Sequence, residues 1–117
     1  MKTLTDYEKY IRTEELLALQ KPADQLVCHD ELQFQTVHQV AELWMKLAEH
    51  ELGAAARAMA AGESAKAVRS LERTRRLVVL LTEQLSLLDK MKQPQAELLL
   101  AVAPGVEKLI QATEAAH

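Results

Sequence analysis

Phe34, His38 and Glu42 follow one another at steps of four, so on a helix they stack on one face, a turn apart. An imidazole titrates near neutral pH and can hold or release a proton, and an aromatic ring one turn away can seat a planar ligand beside it. Met45 shares the same broad face, which predicts a partly buried imidazole. A lone histidine on an apolar face is more often a packed core residue than a catalytic or ligand one, and spacing alone favours the former.

Other residue groups carry less chemistry. Cys28, His29 and Asp30 bring a thiol, a base and an acid together in sequence, but adjacent helical residues do not face one another, which predicts a structural role for Cys28. His50 lies between Glu49 and Glu51 and reads as a surface residue. A di-iron carboxylate bundle needs two Glu-x-x-His motifs and two further glutamates; only Glu114 and His117 have that spacing, and His38 with Glu42 gives an i,i+4 pair. A metal site therefore needs a symmetric partner to complete it, and its ligands cannot be named from the sequence. Arg69, Arg73 and Arg76 share a helix face, with Glu72 placed to pair with Arg76, the pattern of a solvated surface or of an anion or partner site.

The elements that must hold these residues are helices. Apolar residues make up 49% of the chain and charged residues 26%, a balance that builds a globular core and excludes the composition of disorder. The length of 117 residues suits one domain. From residue 30, Phe34, Val37, Ala41, Met45, Ala48, Leu52, Ala55 and Met59 recur at steps of three and four, predicting a long helix over 30–61. Val40, Leu43, Trp44 and Leu47 widen its apolar face, and Gly62 is placed to cap its end. Ser64 can open a second long helix over 64–92, with Ala67, Leu71, Thr74, Val78, Leu81, Leu85 and Leu88 as its heptad seam and Leu77, Leu80 and Leu87 beside it. The short link predicts an antiparallel hairpin. Residues 1–29 form an arm with a short helix over 14–19, capped by Thr13, and Pro94 and Pro104 open short helices over 94–116, with Val106, Leu109, Ile110 and Thr113 facing inward. The fold class is thus all-α: a helical bundle of two long antiparallel helices with short helices at either end.

Composition also narrows the partners. A formal net charge of −3 offers no basic field for a phosphate backbone, so no nucleic-acid partner is expected. Three glycines leave no material for a dinucleotide loop, and one cysteine gives no intrachain disulfide. The longest apolar run, 98–103, is far below the ~20 residues of a membrane span, and no signal pattern opens the chain, which makes the cytoplasm the expected location. Two broad apolar helices in a small domain need more cover than short helices give, which predicts a homo-oligomer, a dimer or a tetramer.

Residues 29–52, HDELQFQTVHQVAELWMKLAEHEL, closely resemble the amino-terminal signature of the heme-dependent tryptophan 2,3-dioxygenases. Tyr7, Tyr10 and Ile11, the run ELLALQ at 15–20, and the stretch from Arg75 and Arg76 to Glu83 and Gln84 extend the likeness over residues 5–90. The resemblance implies His38 as the distal base near the indole nitrogen of tryptophan and Phe34 packed on the indole. It implies that Tyr7 and Tyr10, with Ile11, help wall the pocket, commonly from a neighbouring subunit of a helical tetramer. Heme follows as the implied cofactor, although none of His29, His50 and His117 matches the family's axial ligand. The family's tyrosine and arginine for the substrate carboxylate fall where this chain has Ala96, Glu97, three leucines, Ala101 and Val102, and its tryptophan after the Glu-Gln pair is Leu85 here.

Three readings follow. The chain is a short dioxygenase-like protein that binds tryptophan or a related aromatic small molecule, oxidising it with heme if active. It is a non-catalytic helical module for oligomerisation or regulation, derived from that family. Or it is a non-heme metal-binding helical dimer.

Overall fold

A computed structural model describes residues 3–90, and these are helical with no strand among them. The expected helices at 94–116, the end of the helix expected over 64–92, and the Glu114 and His117 pair lie outside the described residues.

The arm begins with α1, Asp6–Ile11, a helix ahead of the one expected at 14–19. The reason is a capping box: the Thr5 hydroxyl accepts from the Glu8 amide at 3.1 Å, and the Glu8 carboxylate accepts from the Thr5 amide at 3.1 Å. Arg12 then takes a left-handed backbone, φ 59°, and breaks the helix. The short α2, Thr13–Leu16, follows, so Thr13 is its first residue and Arg12 its cap. Arg12 pairs with Glu15 in an exposed ion pair at this corner.

The two long helices are α3, Glu31–Ala60, and α4, Ser64–Leu85. Gly62 closes α3 as expected, at φ 72°. The Gly62 amide donates to the Met59 carbonyl at 3.1 Å and the Glu63 amide to the Ala58 carbonyl at 2.8 Å, the two bonds of a Schellman motif. Ser64 does not cap α4; Glu63 stands at that position, without a side-chain bond to the helix. At its far end α4 tightens into a 3-10 turn over Ser86–Lys90, where the Ser86 hydroxyl donates to the Glu83 carbonyl.

The helices pack antiparallel, tied by Glu51 to Arg73 at 3.5 Å near the turn and by the Gln33 amide donating to the Leu87 carbonyl at 3.0 Å near the open end. Burial corrects the expected seams. On α4 the covered stripe is Ala67, Ser70, Thr74, Leu77, Leu81, Gln84 and Leu88, still stepping three and four. Leu71, Val78 and Leu85, expected inside, are exposed. On α3 the stripe runs Phe34, Val37, Ala41, Trp44, Ala48, Glu51, Ala55 and Ala58, leaving Met45, Leu52 and Met59 exposed. Small residues near the turn let the backbones approach closely, and that rotates the larger side chains to the flank.

Each exposed residue follows a seam position by one. In an antiparallel pair that step turns both helices toward the same side, so Met45, Leu52, Met59, Leu71, Val78 and Leu85 share one apolar flank. His38, one residue after Val37 and seven before Met45, lies in the same register. No helix among the described residues is long and apolar enough to cross a membrane.

Candidate functional site

The face around His38 is built by the first turns of α3. Glu31, Phe34, Gln35, His38, Gln39 and Glu42 stand at offsets of 0, 3, 4, 7, 8 and 11 and together line a cleft of about 270 Å³. Its wall is locked to the arm. The Lys21 backbone amide donates to Gln35 Oε1 at 2.8 Å; Gln39 Oε1 accepts from Gln20 Nε2 at 2.9 Å, and Gln39 Nε2 donates to the Leu19 carbonyl at 3.2 Å. Glu31, almost fully buried, accepts from the Val27 amide at 2.6 Å and from the Lys21 ammonium at 3.1 Å. The Val27 amide holds the Glu31 carboxyl below the usual carboxylate range; burial opposes this and Lys21 adds to it.

Within the cleft the rings of Phe34 and His38 lie 4.5 Å apart between centroids, tilted by 43°. His38 Nδ1 sits 2.7 Å from the Phe34 carbonyl oxygen. A carbonyl can only accept, so Nδ1 carries the proton and donates, which leaves the lone pair on Nε2. In the neutral ring the helix backbone thus favours the Nδ1–H tautomer and presents Nε2 as a hydrogen-bond acceptor for a ligand. The expected partial burial of the imidazole is not found: His38 is exposed, because it stands on the uncovered flank, while Phe34 is half-buried.

The remaining expected residues lie elsewhere. Tyr7 and Tyr10 are 70% and 84% exposed on α1 and line no part of this cleft. Ile11 lines a separate hollow of about 300 Å³ with Arg12, Glu15, Leu16 and Leu19. One chain therefore joins Phe34 and His38 and leaves the tyrosines apart from them. Cys28 is half-buried with a free thiol, and His29 and His50 are exposed.

The arginines outline a second feature, a basic groove of about 720 Å³ beside the turn, with Arg57, Lys66, Arg69 and Arg73 on its walls. Arg76 is not among its residues; with Arg75 it pairs with Glu72, at 3.6 and 2.6 Å. Glu31, Gln35 and Gln39 were not marked by sequence reasoning as part of the site. Their signal was present, since 31, 35 and 39 run at i,i+4 beside 34, 38 and 42.

Heme does not fit the described residues of one chain. The cleft is smaller than the ~300 to 1,000 Å³ of sites that bury cofactor-sized ligands, and neither His29 nor His50 lines it as a candidate axial ligand. Among the described residues no three His, Cys, Asp or Glu side chains converge as a metal ion would need.

Fold and site together define a helical hairpin that presents an aromatic ring and a tautomer-fixed imidazole on one uncovered face. The family model of tryptophan 2,3-dioxygenase matches residues 2–96. The tryptophan 2,3-dioxygenase of Kineococcus radiotolerans is 44% identical over 82 residues, 70% of this chain and 29% of the relative. That of Saccharopolyspora erythraea is 42% identical over 82 residues, again 70% and 29%, and that of Xanthomonas campestris pv. campestris strain B100 is 39% identical over 83 residues, 71% and 28%. The chain belongs to the tryptophan 2,3-dioxygenase family, and its match spans less than a third of the length of these relatives.

Proposed function

We propose that this chain binds an indole or a related planar aromatic molecule at the Phe34 and His38 cleft, with His38 Nε2 accepting the hydrogen of the ring N–H. The observation that carries this reading is the 2.7 Å contact between His38 Nδ1 and the Phe34 carbonyl, which leaves Nε2 as the acceptor. Phe34 supplies the apolar surface on which the ligand ring lies. Family membership supports an aromatic ligand, since the relatives are named for tryptophan.

The flank that bears His38 also bears Met45, Leu52, Val78 and Leu85, and a second copy laid on it would cover the cleft and the apolar stripe together. A homo-oligomer of this kind gives Tyr7 and Tyr10 a route to the cleft of a neighbouring copy. Because heme finds no fit among the described residues, no oxidative step is derived, and the role proposed is binding and proton handling within a helical assembly.

Indole titrated into the full chain with the histidine nitrogens followed by NMR tests the site. The expected result is a saturable shift of His38 Nε2, and a loss of affinity of roughly tenfold or more in His38→Ala, the size of one hydrogen bond together with lost ring contact. Equal affinity in the variant would remove His38 from the site.

A further inference from the structure

The charge pattern of the cleft points to the class of aromatic molecule it takes; this step rests on the reading just given. Of its polar groups, Glu31 is fully engaged: Oε1 accepts from the Val27 amide, and both oxygens accept from Lys21. Gln39 uses its oxygen on Gln20 and its nitrogen on Leu19, and the Gln35 oxygen is taken by the Lys21 amide. Glu42 is different. It is exposed on the rim, and no ion pair within 4.0 Å holds it among the described residues; Lys46, one turn further on, makes none either. Among the described residues no arginine or lysine lines the cleft.

Among the described residues that line the cleft, a ligand seated on Phe34 and His38 therefore meets one unpaired charge, that of Glu42; Lys46 stands outside the lining. A carboxylate on that ligand would lie near Glu42 without a cation to balance it, an unfavourable placement. An ammonium would meet a carboxylate able to form a charge-assisted hydrogen bond. Glu42 stands one turn beyond His38, about 6 Å along the helix axis, within the span of a two-carbon tether from an aromatic ring.

We infer that the cleft formed by Phe34, His38 and Glu42 selects an aromatic amine, an indole bearing an ammonium and no carboxylate, over an aromatic amino acid or acid. Glu42 is the residue that sets this preference.

Calorimetric titrations of the full chain with tryptamine, L-tryptophan and indole-3-propionate at low salt test it. Tryptamine is expected to bind about three- to fivefold tighter than indole-3-propionate, the size of a solvent-exposed ion pair, with L-tryptophan between them, and the ratio should shrink at high salt. Glu42→Gln should bring the ratio close to one, and Glu49→Gln, at a position that does not line the cleft, should preserve it. Circular dichroism verifies that both variants remain helical. Tryptamine binding no tighter than the acid, or a ratio indifferent to Glu42→Gln, overturns the inference while leaving the indole site standing. Failure of all three compounds to bind overturns both.

Discussion

Glu31 shows how much a single side chain carries here. It opens α3, lines the cleft, and fastens the arm through the Val27 amide and the Lys21 ammonium, so it holds the wall against which a ligand would rest. Its carboxyl sits below the usual range in the folded chain, chiefly because the Val27 amide donates to the charged form. A lowered carboxyl pKa stabilises the fold above the unfolded value of about 4.3, and that contribution is lost as pH falls through the folded value. Glu31→Gln is expected to cost about 1 to 2 kcal/mol at pH 7 and to flatten the loss of stability below pH ~5. Urea unfolding midpoints measured from pH 7 to pH 3 test this, and parallel curves for the two proteins would contradict it. The residue was hidden in the sequence because its partners lie 4 and 10 positions away in an irregular arm. His38 and Phe34, four apart on one helix, needed no such knowledge.

Among the helices, periodicity identified the elements but misplaced their seams. The spacing of Leu71, Val78 and Leu85 suits a heptad as well as Ser70, Leu77 and Gln84 does, and hydrophobicity favours the first set. The hairpin takes the second: Ala55 and Ala67 are covered in either register, but near the turn Ala58 replaces the bulkier Met59 on the covered side, which permits close approach. The two registers differ in a measurable way. Leu77, 7% exposed, should cost about 2 to 5 kcal/mol on truncation to Ala, whereas Val78, 52% exposed in one chain, should cost less than about 1 kcal/mol in a monomeric state. Thermal melts of Leu77→Ala and Val78→Ala at low protein concentration decide between them, and equal losses would restore the register expected from sequence. The α1 helix was legible in the capping box from Thr5 to Glu8, a signal that outweighs the polar character of its residues.

For the whole molecule, the apolar flank is the surface that bears on assembly. Met45, Leu52, Met59, Leu71, Val78 and Leu85 stand exposed on one side of the hairpin, together with the cleft. A two-fold pairing of this flank would form a four-helix arrangement and enclose His38. Light scattering of the full chain is expected to report an assembly larger than one chain at micromolar concentration. Leu52→Glu combined with Val78→Glu should shift it to the monomer while circular dichroism stays helical, since both residues lie outside the hairpin seam. An assembly indifferent to the two charges would place the contact elsewhere.

The sequence by itself determined the helices, the hairpin and the meeting of Phe34 with His38, because these depend on neighbours within a few turns of one chain. It also carried the family likeness in residues 29–52. Tertiary structure alone decided which stripe of each helix is covered, which flank is left open, and how the arm locks the cleft wall. Those outcomes turn on the relative sizes of side chains brought together from distant positions, and no local spacing encodes them.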